Sequence, residues 1–215
     1  MILFAAGTLA SILLAFPFRD ILKSLGLIFS RPDKNHAAKA ARLLALADLA
    51  RTSGAFALEE ALDHTPLSWR EAFLRKGLTF VVEGVEARTI REIMELELAS
   101  LARRHERLRK VWDFAGFIAP AWGFAGTLFE LLVAVPNPAD KSAAARLALT
   151  PALCATVFAH LIAAPAAVRI QLRCDTDMTG QKLILEGVLA IESHEARAVL
   201  EERLKAVLGG SGSRR

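Results

Sequence analysis

Three stretches of this chain are almost free of charge. Phe114 to Val135 runs for about 22 residues without a Lys, Arg or Asp, long enough to cross a bilayer at about 1.5 Å per residue. Ile2 to Phe18 is a second apolar run, of about 17 residues, at the lower limit for a span. Leu147 to Val168 is the third, ending just before Arg169 and Arg173. The pattern predicts membrane helices over residues 1–18, 114–135 and 147–168. The first run is also signal-peptide-like in length. It lacks a basic leading segment and an A-x-A cleavage site, and Arg19-Asp20 follows it directly, so it reads as a span.

The intervening sequence is hydrophilic and helical in period. Within 19–113, Ala37 to Ala50 is an amphipathic run broken at Thr52-Ser53-Gly54. A short helical piece, Phe56 to Leu62, ends near His64-Thr65-Pro66. Ser68 to Glu83 and Thr89 to Lys110 follow, separated by Gly84. In the last of these, Ile90, Ile93, Met94, Glu97, Leu98 and Leu101 form one largely apolar face at helical spacing. Residues 136–146 read as a short Pro/Asn/Asp loop. The segment 169–215 reads as helix with a disordered tail from Gly209 to Arg215. No run alternates with period two, and the expected class is all-α: a polytopic membrane protein with a helical domain between its first and second spans.

Composition agrees, and charge adds orientation. The chain is 53% hydrophobic yet 23% charged, with a mean hydropathy of +0.36, as expected for apolar blocks separated by hydrophilic ones. Lys and Arg number 17 in residues 19–113, 2 in 136–146 and 8 in 169–215. The positive-inside rule therefore puts 19–113 and the tail in the cytoplasm, and the N-terminus and short loop outside. A net charge of +4 fits the anionic inner leaflet rather than nucleic acid, since no reading motif for the latter is present. Cys154 and Cys174 have neither metal spacing nor a disulfide framework. No nucleophile–base set, phosphate loop or metal cluster points to an enzyme, a cofactor or a metal.

Only two ionisable side chains fall inside the second and third spans, Glu130 near an end and His160 mid-span. Glu130 suits an interfacial carboxylate and His160 an interhelical hydrogen bond, with a place on an ion path open to each. A chain that moved ions would have to take its mid-membrane carboxylate from another subunit. The second span carries Pro120, Gly123, Thr127 and Glu130 on one side. The third carries Ala148, Ala152, Ala155, Ala159 and Ala163, with Thr156 beside them. Such stripes let helices approach closely. Pro120 and Pro165 each remove a backbone hydrogen bond from an apolar helix.

Several motifs, in order along nearly the whole chain, carry a resemblance. They are Phe16-Pro-Phe-Arg-Asp20, Arg75-Lys-Gly-Leu78, Val81-Val-Glu-Gly84, Ile90-Arg-Glu-Ile93, Arg104-His105, Ala119-Pro-Ala-Trp-Gly123, Gly126-Thr127-Leu128 and Leu185-Glu-Gly-Val-Leu-Ala-Ile191. On these the chain resembles the MotA/TolQ/ExbB family, and within it the stator subunits of the bacterial flagellar motor. That family has four membrane helices, and the matched pattern begins at the second. The resemblance implies a homo-oligomer, five copies around a MotB-like pair that supplies the channel Asp, in the inner membrane. It implies an ion path touching Pro120, Thr127, Ala155, Thr156 and Pro165, with Glu130 and His160 as departures from the usual small or neutral residues. It implies contact of Arg51 and Glu59 with a FliG-like rotor protein. Ala155-Thr156, where sodium-driven relatives tend to have two threonines, leans towards protons. Two other outputs stay open at this point: TolQ/ExbB-type energising of envelope transport, and a non-conducting helical scaffold.

Overall fold

The computed structural model describes residues 2–30, 35–63, 72–134 and 141–212. Every regular element among them is helical. In order they are α1 (Ile2–Ala15), α2 (Phe18–Phe29), α3 (His36–Asp63), α4 (Ala72–Val82), α5 (Ala87–Ala134), α6 (Lys141–Val157), a π-helical turn (Phe158–Ala163), α7 (Ala164–Glu192) and α8 (Arg197–Gly212). The all-α expectation holds. The expected turn at His64-Thr65-Pro66, residues 68–71 and 136–140, and the last three residues lie outside the described residues.

Several boundaries differ from the sequence reading, each for a local reason. The first apolar run is not one helix to Phe18: α1 ends at Ala15, and Pro17 sits extended (φ −65°, ψ 138°) as the cap of α2. At about 1.5 Å per residue α1 covers about 21 Å, short of the ~30 Å hydrocarbon core. Conversely, the charged run and the second span are one continuous helix, α5, 48 residues long, because nothing between Lys110 and Phe114 breaks it. The helix α6 already begins at Lys141, inside the expected loop, in the Ala-rich sequence KSAAARLALT. At the other end α8 reaches Gly212, so Gly209 to Gly212 are helical rather than a disordered tail. Extending an existing helix adds a bond per residue without a new nucleation cost.

The chain divides into two compact units, Met1–Arg31 with Arg104–Leu172, and Pro32–Arg103 with Arg173–Arg215. The second unit has an aliphatic core of Leu43, Leu58, Leu78, Ile90, Met94, Leu98, Leu183, Val188 and Leu200, with α3 packing on α4 and α8. The expected α5 face is present there: Ile90 and Met94 are fully buried and Leu98 nearly so. Two αL residues end the helices that feed this core. Gly84 (φ 71°) follows α4, with Val85 N–H donating to Phe80 O at 2.9 Å and Gly84 N–H to Val81 O at 3.1 Å. His194 (φ 54°) closes α7 with the same pair of bonds, Glu195 N–H to Ala190 O and His194 N–H to Ile191 O. Gly54 (φ 75°, ψ −171°) kinks α3 where the sequence reading placed its break.

The first unit holds the apolar helices. Two of them, within α5 and within α6 to α7, are long and apolar enough to cross a membrane, and α1 is a shorter apolar helix. Only 17% and 33% of the most apolar windows of the two long helices are buried. A core helix of a water-soluble protein would hide most of that surface. Leu14, Phe117, Leu132 and Leu161 instead face outward.

Candidate functional site: a small-residue seam, two threonines and a charged surface

The stripes on the second and third spans meet each other. A Cβ added at Gly123 would overlap the Cβ of Ala155 and come within 3.0 Å of Pro151 O. One at Gly126 would lie 3.2 Å from the Pro151 ring, and one at Gly116 would lie 3.4 Å from the Ala163 Cβ. Ala119, Ala155, Ala159 and Ala163 are buried along the same seam. Backbones this close exchange side-chain bulk for direct helix-to-helix contact. Ala155, grouped both with the packing stripe and along an ion path, lies in the stripe's contact. It is wholly buried against its own chain, and packing under Gly123 explains why it is small.

The two threonines flank this contact. Thr127, one turn beyond Gly123, donates its hydroxyl to Gly123 O at 3.0 Å, and Thr156, next to Ala155, donates to Ala152 O at 2.8 Å. Each proton is thereby committed to its own helix, leaving hydroxyl lone pairs to accept from water or to face a cation. Thr156 is exposed and Thr127 half-buried. The expected His160 falls inside the π turn and is exposed, and Pro165 follows that turn at once, also exposed. The pairing is causal in kind: Pro165 has no N–H for the carbonyl four residues back, and the ladder before it shifts to i→i−5, Ala164 N–H bonding Ala159 O. Pro120 and Glu130 are both half-buried on α5.

Indole hydrogen bonds attach the N-terminal helices. Trp122 donates to Ser11 Oγ at 2.9 Å and lies flat over Gly7, where any Cβ would overlap the ring. Trp112 donates to Ser24 Oγ at 3.1 Å, and the Ser24 hydroxyl in turn donates to Ile21 O at 2.7 Å. Along α5 just before the span, Lys110 holds Glu106 at 2.9 Å, and that hydrogen bond and charge keep the Glu106 carboxyl below its ordinary value. Apart from Trp122, which stands in the Ala119–Gly123 motif, these residues were not singled out from sequence. The serine-to-tryptophan bonds join positions 88 and 111 residues apart, a separation that no local pattern reveals.

On the second unit most surface charges have found each other. Lys76 pairs with Glu97 at 2.6 Å, Asp48 with Arg197, and Arg203 bridges Glu186 at 3.3 Å and Glu195 at 2.8 Å. Arg51 and Glu59, on either side of the Gly54 kink, are exposed, and among the described residues neither has an ion-pair partner.

An all-helical membrane protein with a tight glycine–alanine seam, proline-modified spans and a helical domain beside them defines the class. Comparison narrows it: the profile of the MotA/TolQ/ExbB proton channel family matches residues 67–183. Motility protein A of Treponema phagedenis is 29% identical over 214 residues, 97% of this chain and 81% of that protein. Motility protein A of Borreliella burgdorferi is 31% identical over 188 residues, covering 86% and 70%. Chemotaxis protein PomA of Vibrio alginolyticus is 31% identical over 171 residues, covering 78% and 65%. Among solved structures, the flagellar MotAB stator complex from Bacillus subtilis matches with a TM-score of 0.83 at 26% identity, over 94% of this chain and 80% of that one. The C. jejuni MotAB structure shares the fold, with a TM-score of 0.87 at 22% identity over 100% and 84%. The chain belongs to the MotA/TolQ/ExbB proton channel family.

Proposed function

We propose that this chain is a MotA-type stator subunit in the bacterial inner membrane, coupling proton flow through a path shared with a MotB-like partner to torque on the flagellar rotor. The observation that carries it is the match to the flagellar MotAB stator complex, over nearly the whole chain and at full domain scale. The named relatives are motility and chemotaxis proteins, which favours the motor over envelope transport. The partner supplies the carboxylate that takes the proton, since the chain's own spans offer only Glu130 and His160.

Thr127 and Thr156 are the acceptors beside that path, and neutralising the partner's acid shifts helix packing across the seam. The π turn before Pro165 gives that shift a place to occur, because its backbone ladder is already out of the α register. Five copies form the ring, with residues 19–113 and the C-terminal segment on the cytoplasmic side. Arg51 and Glu59 meet a FliG-like rotor protein; two unpaired charges of opposite sign suit a charged partner, registering it without large buried area.

Two measurements test this. Native mass spectrometry of the chain co-expressed with its MotB-like partner should show a ring retaining a partner pair; a chain that never captures the partner would sink the stator reading. Arg51→Glu should impair swimming while membrane assembly stays intact, and normal swimming would remove the rotor contact.

A further inference from the structure

Three parallel rows run along α6 and the π turn that continues it. Pro151, Ala155, Ala159 and Ala163 are buried on the seam. On the outward side Leu149, Leu153, Val157 and Leu161 are 63%, 66%, 44% and 71% exposed, which suits lipid. Between these rows lie Ala152, Thr156, His160 and Ala164, none of them buried and none large and apolar. A four-residue step drifts around an α-helix of about 3.6 residues per turn. The wider π turn winds part of that drift back, so His160 stays in line with Thr156. An ionisable side chain on the outside of a span is costly against lipid and is kept where it meets water or a partner. The middle row is therefore the side that a partner helix and its water would cover.

Contacts across the seam give the depth of each residue. A Cβ at Gly123 meets Ala155, whereas one at Gly116 meets the Ala163 Cβ at 3.4 Å and Ala159 O at 3.7 Å. The helices thus run antiparallel, with Thr156 near the level of Gly123 and His160 between the levels of Gly123 and Gly116. Gly116 is only three residues past Asp113, where the charged part of α5 ends. His160 therefore lies about 6 Å nearer the charged end of the span than Thr156 does. Helices α1 and α5 pack against the turn, through Phe4 on Phe158 and through Gly116. No titratable side chain occurs on α1. On α5 the flanking groups are Asp113, paired with Arg109 at 3.6 Å, and Glu130, about 21 Å beyond Gly116.

We propose that His160 is the exit-side proton acceptor of the path. A neutral ring nitrogen takes the proton that the partner's carboxylic acid releases, an O–H bond breaking as an N–H bond forms. The imidazolium then gives that proton to water on the charged side of the membrane. Both groups return to their starting states, the carboxylate ready for the next proton and the imidazole neutral. The relay rests on the stator reading above; the position of His160 beside Thr156 and nearer the charged end does not.

The test uses the full chain with its MotB-like partner, in tethered cells that lack any other stator. His160→Gln keeps size and hydrogen bonding but cannot carry a proton, and it should slow rotation severalfold. His160→Ala should slow it equally, and added imidazole should restore most of the lost speed. Pyrazole, of the same shape but far less basic, should restore none. Rotation of His160→Gln at the wild-type speed would overturn the relay. Restoration by pyrazole as well as imidazole would trace the defect to lost volume and overturn it. Loss of the ring or of the partner from the His160→Gln complex, read by native mass spectrometry, would make His160 a packing residue and overturn it too. A wild-type chain that captures no partner sinks the stator reading itself, and the relay with it.

Discussion

Thr8 shows how a single hydroxyl is decided by its surroundings. It is buried on α1, and its Oγ has no hydrogen-bond partner among the described residues. An unsatisfied buried hydroxyl costs about 1–3 kcal/mol, so Thr8→Val should raise the thermal midpoint of the detergent-solubilised chain. A lowered midpoint would show that a second copy or partner supplies the acceptor. The threonines of the seam behave oppositely, because each hydroxyl already bonds its own helix. Thr156→Val should leave stability nearly unchanged and reduce ion-driven torque; an unchanged motor would make Thr156 a packing residue. Candidate residues of this kind were legible in sequence by type and spacing. Ala155 stood both in the packing stripe and on the ion-path list, because one position of helical rotation separates a buried residue from the exposed Thr156.

Elements test the seam and the altered helix. Gly123→Ala drives a methyl into Ala155 and towards the Pro151 carbonyl, and overpacking of this sort costs about 1–3 kcal/mol. Gly26→Ala, on α2 with nothing within 4 Å of the added Cβ, should stabilise by about 0.5–1 kcal/mol through helix propensity. Thermal unfolding of the two variants side by side checks the contrast, and equal shifts would dissolve the seam as an explanation. Hydropathy and period made the long helices readable. Helix α2 was missed because its apolar residues merge into the preceding run at Phe18 while Arg19, Asp20 and Lys23 interrupt it. It becomes plain once the Pro17 break restarts the helical count. The π turn had only Pro165 as a signal, and a proline marks a lost bond without saying how the ladder will repair it.

At the scale of the molecule, the two units carry distinct kinds of interior. The second has a conventional aliphatic core, so Met94→Ala, at a fully buried position, should cost about 2–5 kcal/mol. Leu96→Ala, at a position 67% exposed, should change stability by less than about 0.5 kcal/mol. Limited proteolysis of residues 35–103 in the membrane-bound chain would separate the two; similar digestion rates would mean the core assignment is wrong. Along its apolar spans the first unit leaves large side chains such as Phe117, Leu132 and Leu161 outward and packs Ala115, Ala119, Ala155, Ala159 and Ala163 inside, an arrangement suited to a bilayer.

By itself the sequence determined the helical class, the apolar runs, the core face of Ile90, Met94 and Leu98, and the separators Gly54 and Gly84. These follow from hydrophobic period and from residues whose backbone freedom is local. Tertiary structure alone decided that the glycine stripe of α5 closes on the alanine stripe of α6 and α7, that Ala155 is covered while Thr156 is not, and that α2 hangs from Trp112. Those outcomes depend on contacts between residues far apart in the chain, where side-chain volume and hydrogen-bond reach select one approach among many that the same periodic pattern allows.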